Sequence, residues 1–325
     1  LRTGNVNKNQ IHQRFLAAER AFGNLIGSKK IEFDDGYEHY QEVEIPGFEK
    51  LMSITQKQLL LLGDNGLNAR QKGALTKYIN VHMDSEKTAK VLDYTSKFNR
   101  EMSRIGGRVV ASIPQDFVLA LLGDGSGRCY PLVRAMSVAS ARGEQAIRNF
   151  SDKLFIGAAN PQAIESQLLL DGLQNLHTNS DARESSYLFG RLDIDSVITA
   201  VKRELAAYGK VSFALNTASH SMGLYAINDM GTKRYYFYDP NFSIVEFSSL
   251  KSLKKALESH LIVANMAEFY AADGTLGRPE LSVVSIDTSE MAGIEILPGQ
   301  QVHNLTTDEP LTPIENDESI IVHEQ

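Results

Sequence analysis

The chain has one cysteine in 325 residues, no lysine or arginine after Arg278, and no uninterrupted apolar run of membrane-spanning length. A single thiol excludes an internal disulfide and any zinc site built on a cysteine pair, and it points to a reducing working compartment. Acidic residues outnumber basic ones, 40 to 33, for a net charge of -7, which argues against nucleic acid or an anionic lipid surface as the main partner. A membrane helix needs roughly 18 to 20 consecutive apolar residues, and none is present, so no transmembrane segment and a soluble chain are expected. The first residues, LRTGNVNKNQ, do not read as a signal peptide. Because the chain opens at Leu1 without methionine, a segment of something longer is expected.

With 42% hydrophobic residues the chain can bury one large core or two ordinary ones. Its first third reads as helical. In NQIHQRFLAAERAFGNLIG, Ile11, Phe15, Leu16, Phe22 and Leu25 recur at helical spacing, and QKGALTKYINVHMD and SEKTAKVLDYTSKFNREMSRI continue the pattern, the last opened by Ser85 and closed by Gly106 and Gly107. Residues 1–107 are therefore expected to be a helical N-terminal region. Beyond them PQAIESQLLLDGLQNL and DIDSVITAVKRELAAYG are helical candidates, after which the period shortens. VSFALNT, SMGLYAIND, KRYYFYDP and SIVEFSS are rich in aromatic and β-branched residues and separated by turn formers, as in an antiparallel meander; SLKKALESHL returns to helix and LSVVSID adds a strand. The order predicts an α+β domain over 108–290 and, from the six acidic residues of VHNLTTDEPLTPIENDESIIVHEQ, an acidic C-terminal tail over 291–325 that wraps the domain or is partly disordered.

The lone cysteine stands in GDGSGRCYPLVRAMSVASAR. Gly123, Gly125 and Gly127 permit a tight loop, and Pro131 suits a first helical turn, so Cys129 is expected at a helix start. A helix N-terminus beside an imidazolium lowers a thiol pKa, and free amides there can hold an oxyanion. A lone cysteine is more often a small buried hydrophobe, so the reading depends on partners. His220, in NTASHSMGLYAIND, stands at the start of an apolar strand 91 positions later, and Asp239 ends the next strand, a further 19 positions on. In an antiparallel hairpin the beginning of one strand lies beside the end of the next, which makes His220 and Asp239 neighbours and gives a Cys–His–Asp arrangement of nucleophile, base and orienting acceptor.

Cys129 in GRCYPL, His220 in SHSMGLYAI and Asp239 in FYDPNF resemble the papain-like YopT-type cysteine proteases. The Arg128–Cys129–Tyr130 tripeptide is similar to the Arg-Cys-Asp/Tyr motif of the Makes-caterpillars-floppy-like effector domains of MARTX toxins and their DmX relatives. The resemblance covers residues 108–250 and implies a papain-like core. It further implies an effector released from a large bacterial toxin into the host cytosol, which cleaves its own N-terminal segment and is switched on by a host ADP-ribosylation factor GTPase. Arg128 is then expected to orient Asp239 or a substrate carboxylate, with Tyr130 in a supporting place. The activator surface is expected on the N-terminal region or on the helices of 161–209, not on the His220 strand.

Gln115 and Asn216 are side-chain amides that an oxyanion hole can use, though neither lies in a recognised pattern. His12, His39, His82, His177, His260, His303 and His323 lack metal-ligand spacing and read as surface or core residues, so no metal is expected. GDGSG lacks the Lys-Ser/Thr ending of a phosphate loop, and no cofactor is indicated. Two other uses of the chain stay open at this level: glutamine deamidation or acyl transfer through the same thioester chemistry, and a non-catalytic module that docks a host GTPase.

Overall fold

The computed structural model describes residues 30–34, 40–44, 85–122, 124, 127–159 and 163–313. The helices expected in 11–27 and 71–84, the glycines Gly123 and Gly125, His12, His39, His82 and His323, and most of the acidic residues at the C-terminus lie outside them. Within 1–107 the described residues are an antiparallel strand pair, β1 (Lys30–Asp34) with β2 (Tyr40–Glu44), and one helix, α1 (Ser85–Ile105). The helical expectation for this region therefore needs correcting at β1 and β2. Ile31 and Phe33 alternate with Lys30, Glu32 and Asp34, a period of two that belongs to a strand.

The centre of the molecule is an eight-stranded antiparallel sheet. Its path runs β3 (Arg108–Ser112), β8 (Ser243–Phe247), β7 (Thr232–Tyr238), β6 (Ser221–Asp229), β5 (Lys210–Asn216), β10 (Arg278–Ile286) and β4 (Ser186–Asp193), with the short β9 (Asp273–Thr275) also paired to β10. Both faces are covered, and the strand sequences show why. In β7, Tyr235 and Phe237 pack into one buried cluster while Tyr236 and Tyr238 pack into the other; in β5 Phe213 and Leu215 are divided in the same way from Ala214. A strand buried on both sides is apolar throughout yet still divides its residues by parity.

One face carries α2 (Gln115–Leu122), α3 (Cys129–Arg142), α4 (Glu144–Ala159) and α5 (Ile164–Thr178). The other carries α1, α7 (Ile194–Tyr208) and α8 (Leu250–Glu258), α6 (Ser180–Glu184) being a single short turn before β4. The fold is thus α+β as expected, with helices on both sides of the sheet. At the α1 side, Ser243 Oγ donates to Asn99 Oδ1 at 2.7 Å, and Asn99 Nδ2 donates to Ser112 Oγ at 3.3 Å. This buried polar knot ties α1 to β8 and β3, the strands beside Asp239.

Met291, Ile294, Ile296, Leu297, Val302, Leu305 and Leu311 are buried in the same cluster as α3 and α4, so the stretch from 291 to 311 is an arm wrapped on the core. Its strands β11 (Glu295–Leu297) and β12 (Gln300–Gln301) pair with each other. Acidic composition conceals these apolar positions, which follow no single helical or strand period.

Besides its apolar packing, α3 is joined to the sheet by a buried hydrogen bond. Tyr225 on β6 donates from its hydroxyl to the Val133 carbonyl of α3 at 2.6 Å. Gly223 leaves room for that ring, because a Cβ there would lie 2.1 Å from Tyr225 Oη. Gly223→Ala is therefore expected to displace Tyr225 and cost about 1–3 kcal/mol of stability, read as a lower urea midpoint with an unchanged slope. An unaltered midpoint would mean that the ring and α3 are not jointly constrained.

Candidate active site

Cys129 is the first residue of α3, preceded by Arg128 with no side-chain cap. Its position puts the thiol at the positive end of the helix, where the Tyr130 amide donates to it and Pro131 has no N–H to offer. The β6–β7 hairpin turns at Met230 and Gly231, both with positive φ, the pairing that a two-residue turn matched to strand twist requires. Its register pairs Gly223 with Tyr238. His220, just before β6, and Asp239, just after β7, therefore meet at the open end of the hairpin.

His220 Nε2 lies 2.8 Å from Asp239 Oδ1, and the His220 side chain is also hydrogen-bonded to the Cys129 thiol. The three residues the sequence singles out stand in one line of contacts. Asp239 is fully buried and His220 is 7% exposed, so their charges are shielded from water but not from one another. Burial alone raises the Cys129 thiol pKa; the His220 hydrogen bond and charge, with backbone donors from Ser221 and Tyr130, outweigh it and lower the thiol below its usual range. Burial likewise disfavours the His220 imidazolium, yet Asp239 and Cys129 push it up to about 9. The Asp239 carboxyl, which burial alone would raise, is held well below the usual carboxylate range by His220 and His260. Opposite shifts of thiol and imidazole favour a thiolate–imidazolium pair at neutral pH.

This has a pH signature. Cys129 must be deprotonated, which occurs below the ordinary thiol pKa, and His220 must keep its proton, which it loses near pH 9. Any chemistry carried by this thiolate–imidazolium pair is therefore expected to rise on the acid side, hold through neutrality and fall as pH passes about 9. A rate still climbing above pH 9 would indicate an unpaired thiol acting alone.

Asp239 serves more than His220. Its Oδ1 also accepts from the Asn241 backbone N–H at 3.0 Å. His260 Nε2 is 2.7 Å from Oδ2, and the Tyr270 hydroxyl donates to Oδ2 at 2.7 Å. Four donors on one buried carboxylate satisfy the acceptor capacity of both oxygens. The Tyr270 ring stacks on His220, with centroids 4.0 Å apart. His260, read from sequence only as one of several scattered histidines, is thus a direct partner of Asp239. Neither His260 nor Tyr270 carries a local motif, since the chain reaches them 21 and 31 positions beyond Asp239.

The supporting residues divide. Arg128 does not reach Asp239; its Nε pairs with Asp124 Oδ2 at 2.6 Å and its Nη1 sits 3.0 Å from His177 Nδ1. The expectation that it orients Asp239 is therefore corrected. A guanidinium four residues after a buried carboxylate is captured locally, and there it braces the loop before Cys129. Tyr130 stacks on His177, with Arg134 lying 3.4 Å over its ring. Of the two amides, Asn216 accepts from Ser221 Oγ at 2.6 Å. Gln115 is fixed next to the nucleophile: its Oε1 accepts from Arg128 N at 2.9 Å and its Nε2 donates to Asn241 Oδ1 at 2.7 Å. Among the described residues no cluster of three or more His, Cys, Asp or Glu side chains is arranged to hold a metal ion, and no helix is long and apolar enough to cross a membrane.

Residues 11–317 match the family described as the Mcf1 protease effector domain. The chain is 31% identical over 253 residues to a multifunctional-autoprocessing repeats-in-toxin protein of Vibrio vulnificus, an alignment that covers 67% of this chain and 5% of that toxin. The crystal structure of PatoxP, a cysteine protease-like domain of the Photorhabdus asymbiotica toxin PaTox, is similar with a TM-score of 0.53 at 16% identity, covering 91% of this chain and 94% of that one. At that identity the likeness is one of fold.

Proposed function

The chain belongs to the Mcf1 protease effector domain family; on that premise we propose that it is a cysteine peptidase, that Cys129, His220 and Asp239 are its catalytic triad and that its own N-terminal segment is a substrate. The observation that carries the proposal is the continuous line from Asp239 Oδ1 through His220 to the Cys129 thiol. The Cys129 thiolate adds to the scissile carbonyl carbon, and the carbonyl π electrons move onto oxygen. The oxyanion is met by amides at the α3 N-terminus and by the second Nε2 hydrogen of Gln115, which its bond to Asn241 leaves over. As the intermediate collapses, His220 gives its proton to the departing amine and a thioester remains. His220, now neutral, takes a proton from water, whose oxygen attacks the thioester; the acid is released and Cys129 regenerated. Asp239 keeps the imidazole aimed throughout and stays ionised.

Regulation belongs to the same reading. The domain acts in the host cytosol after secretion as part of a larger toxin, and at endomembranes through its partner, a host ADP-ribosylation factor GTPase. Support comes from the Arg128–Cys129–Tyr130 motif and the similarity to the Vibrio toxin. A partner can switch the enzyme only by preferring the competent arrangement of Cys129 and His220. Of the two proposed docking regions, the N-terminal region and the helices of 161–209, the second is interrupted by β4, which exposes Tyr187 and Leu188 at one end of the sheet path.

The test mixes the full chain with ADP-ribosylation factor loaded with GTP or with GDP and follows complex formation and self-cleavage. A nucleotide-dependent complex with faster cleavage is expected. Full cleavage by the chain alone, with no binding to either form, would remove the regulatory part and leave an unregulated peptidase.

A further inference from the structure

His260 does not fit the role of a histidine that merely fills the core. It lies in a π-helical turn, Ser259–Val263, at the end of α8; the extra residue of such turns is frequently found at functional sites, where it redirects a side chain. It is 4% exposed. Phe98, Phe242 and Phe237 surround the ring edge-on, with centroids at 5.0, 5.3 and 5.6 Å. Among the described residues, the polar group bonded to Nε2 in this aromatic cage is Asp239 Oδ2.

The rest of the network explains what that bond does. The Arg128 amide, next to the nucleophile, donates to Gln115, which donates to Asn241; Asn241 Nδ2 donates to the Tyr270 hydroxyl at 3.0 Å, and Tyr270 donates to Asp239. Asp239 then meets His220, and His220 meets Cys129, so the bonds return to the residue after Arg128. Among the described residues, His260 is the one group that bonds the Asp239 carboxylate from outside this ring. It holds Oδ2 from the far side, and a carboxylate held on Oδ2 cannot pivot its Oδ1 away from His220.

We propose that His260 is a positioning residue for the peptidase: through Asp239 Oδ2 it fixes the carboxylate that aims His220 at Cys129. A neutral imidazole with its proton on Nε2 is sufficient. The titratable groups around Asp239 are His220 and Cys129 on one side, His260 and Tyr270 on the other, Tyr238 before it in the chain, and Asp116 beyond Tyr270. The inference rests on the triad reading above, and its readout is chosen so that the two can fail separately.

The experiment measures the rate of Cys129 alkylation by iodoacetamide across pH in the full chain, with the thermal midpoint recorded alongside. In His260→Phe, which fills the cage but donates nothing, the pH of half-maximal thiolate formation is expected to rise by about one unit, so that alkylation at pH 6 falls about tenfold. His260→Gln places an amide nitrogen near the Nε2 position and should restore alkylation to within about threefold of wild type. If His260→Phe does not fold, the comparison passes to His260→Gln against His260→Asn, whose amide is one methylene short and should behave like the phenylalanine variant. A His260-dependent thiolate profile in a chain that does not cleave itself even with the GTP-loaded partner supports the positioning role while removing the self-cleavage reading. A profile that superimposes on wild type in His260→Phe, with only the thermal midpoint lowered, would overturn the proposal, as would a glutamine variant no better than phenylalanine or asparagine.

Discussion

His220→Ala is expected to lower self-cleavage by about a thousandfold or more. The substitution removes two functions of one ring. Without the imidazolium, burial is left as the largest influence on the Cys129 thiol and raises it, so little thiolate remains at pH 7. The departing amine also loses the acid that protonates it. Folding should survive, because Asp239 keeps the Asn241 amide, His260 and Tyr270 as donors. Progress curves of cleavage, with alkylation of Cys129 at pH 7 as a second readout, check this. A residual rate within tenfold of wild type would show that a different base serves the thiol.

Asp239→Ala carries the second large effect, and here activity and stability fall together. The His220 ring loses the acceptor that sets its tautomer and direction, which is expected to cost at least about a hundredfold in cleavage. Four donors then face a buried space with no acceptor. Breaking a buried, charge-assisted cluster from one side costs about 3–5 kcal/mol, so the urea midpoint should drop well below that of His220→Ala. The double variant His220→Ala/Asp239→Ala should be no slower than the slower single variant, since members of a catalytic unit do not act additively. A double variant slower by the product of the two single effects would mean that they work independently.

The part of the site legible in the sequence is the part set by local periodicity. The apolar runs from 211 to 247 announce β5 through β8, and once two of them form a hairpin, His220 and Asp239 are neighbours by chain geometry alone. Cys129 is marked by the glycine loop and Pro131 around a helix start. What the sequence did not announce arrives through long-range packing. His260 and Tyr270 come to Asp239 by way of α8, a π-helical turn and α9 (Met266–Phe269), and no spacing rule connects them to it. Strand β4 escapes because Tyr187 and Leu188 are exposed and Gly190 interrupts its pattern. Arg128 is a different lesson. Its neighbourhood to Cys129 suggested service to the triad, but Asp124 is four residues away and buried, and the nearer carboxylate takes it.

Intact-mass analysis of the wild-type chain and Cys129→Ala, each incubated with GTP-loaded ADP-ribosylation factor, tests the central claim most directly. The account predicts a shortened species, cut within the N-terminal segment, from wild type alone, with Cys129→Ala retaining its full mass and its fold. The same shortened species from both chains would place the nucleophile elsewhere and contradict the account. A gain of about one mass unit on the partner in place of cleavage, dependent on Cys129, would contradict it differently, by assigning the thioester chemistry of this site to deamidation.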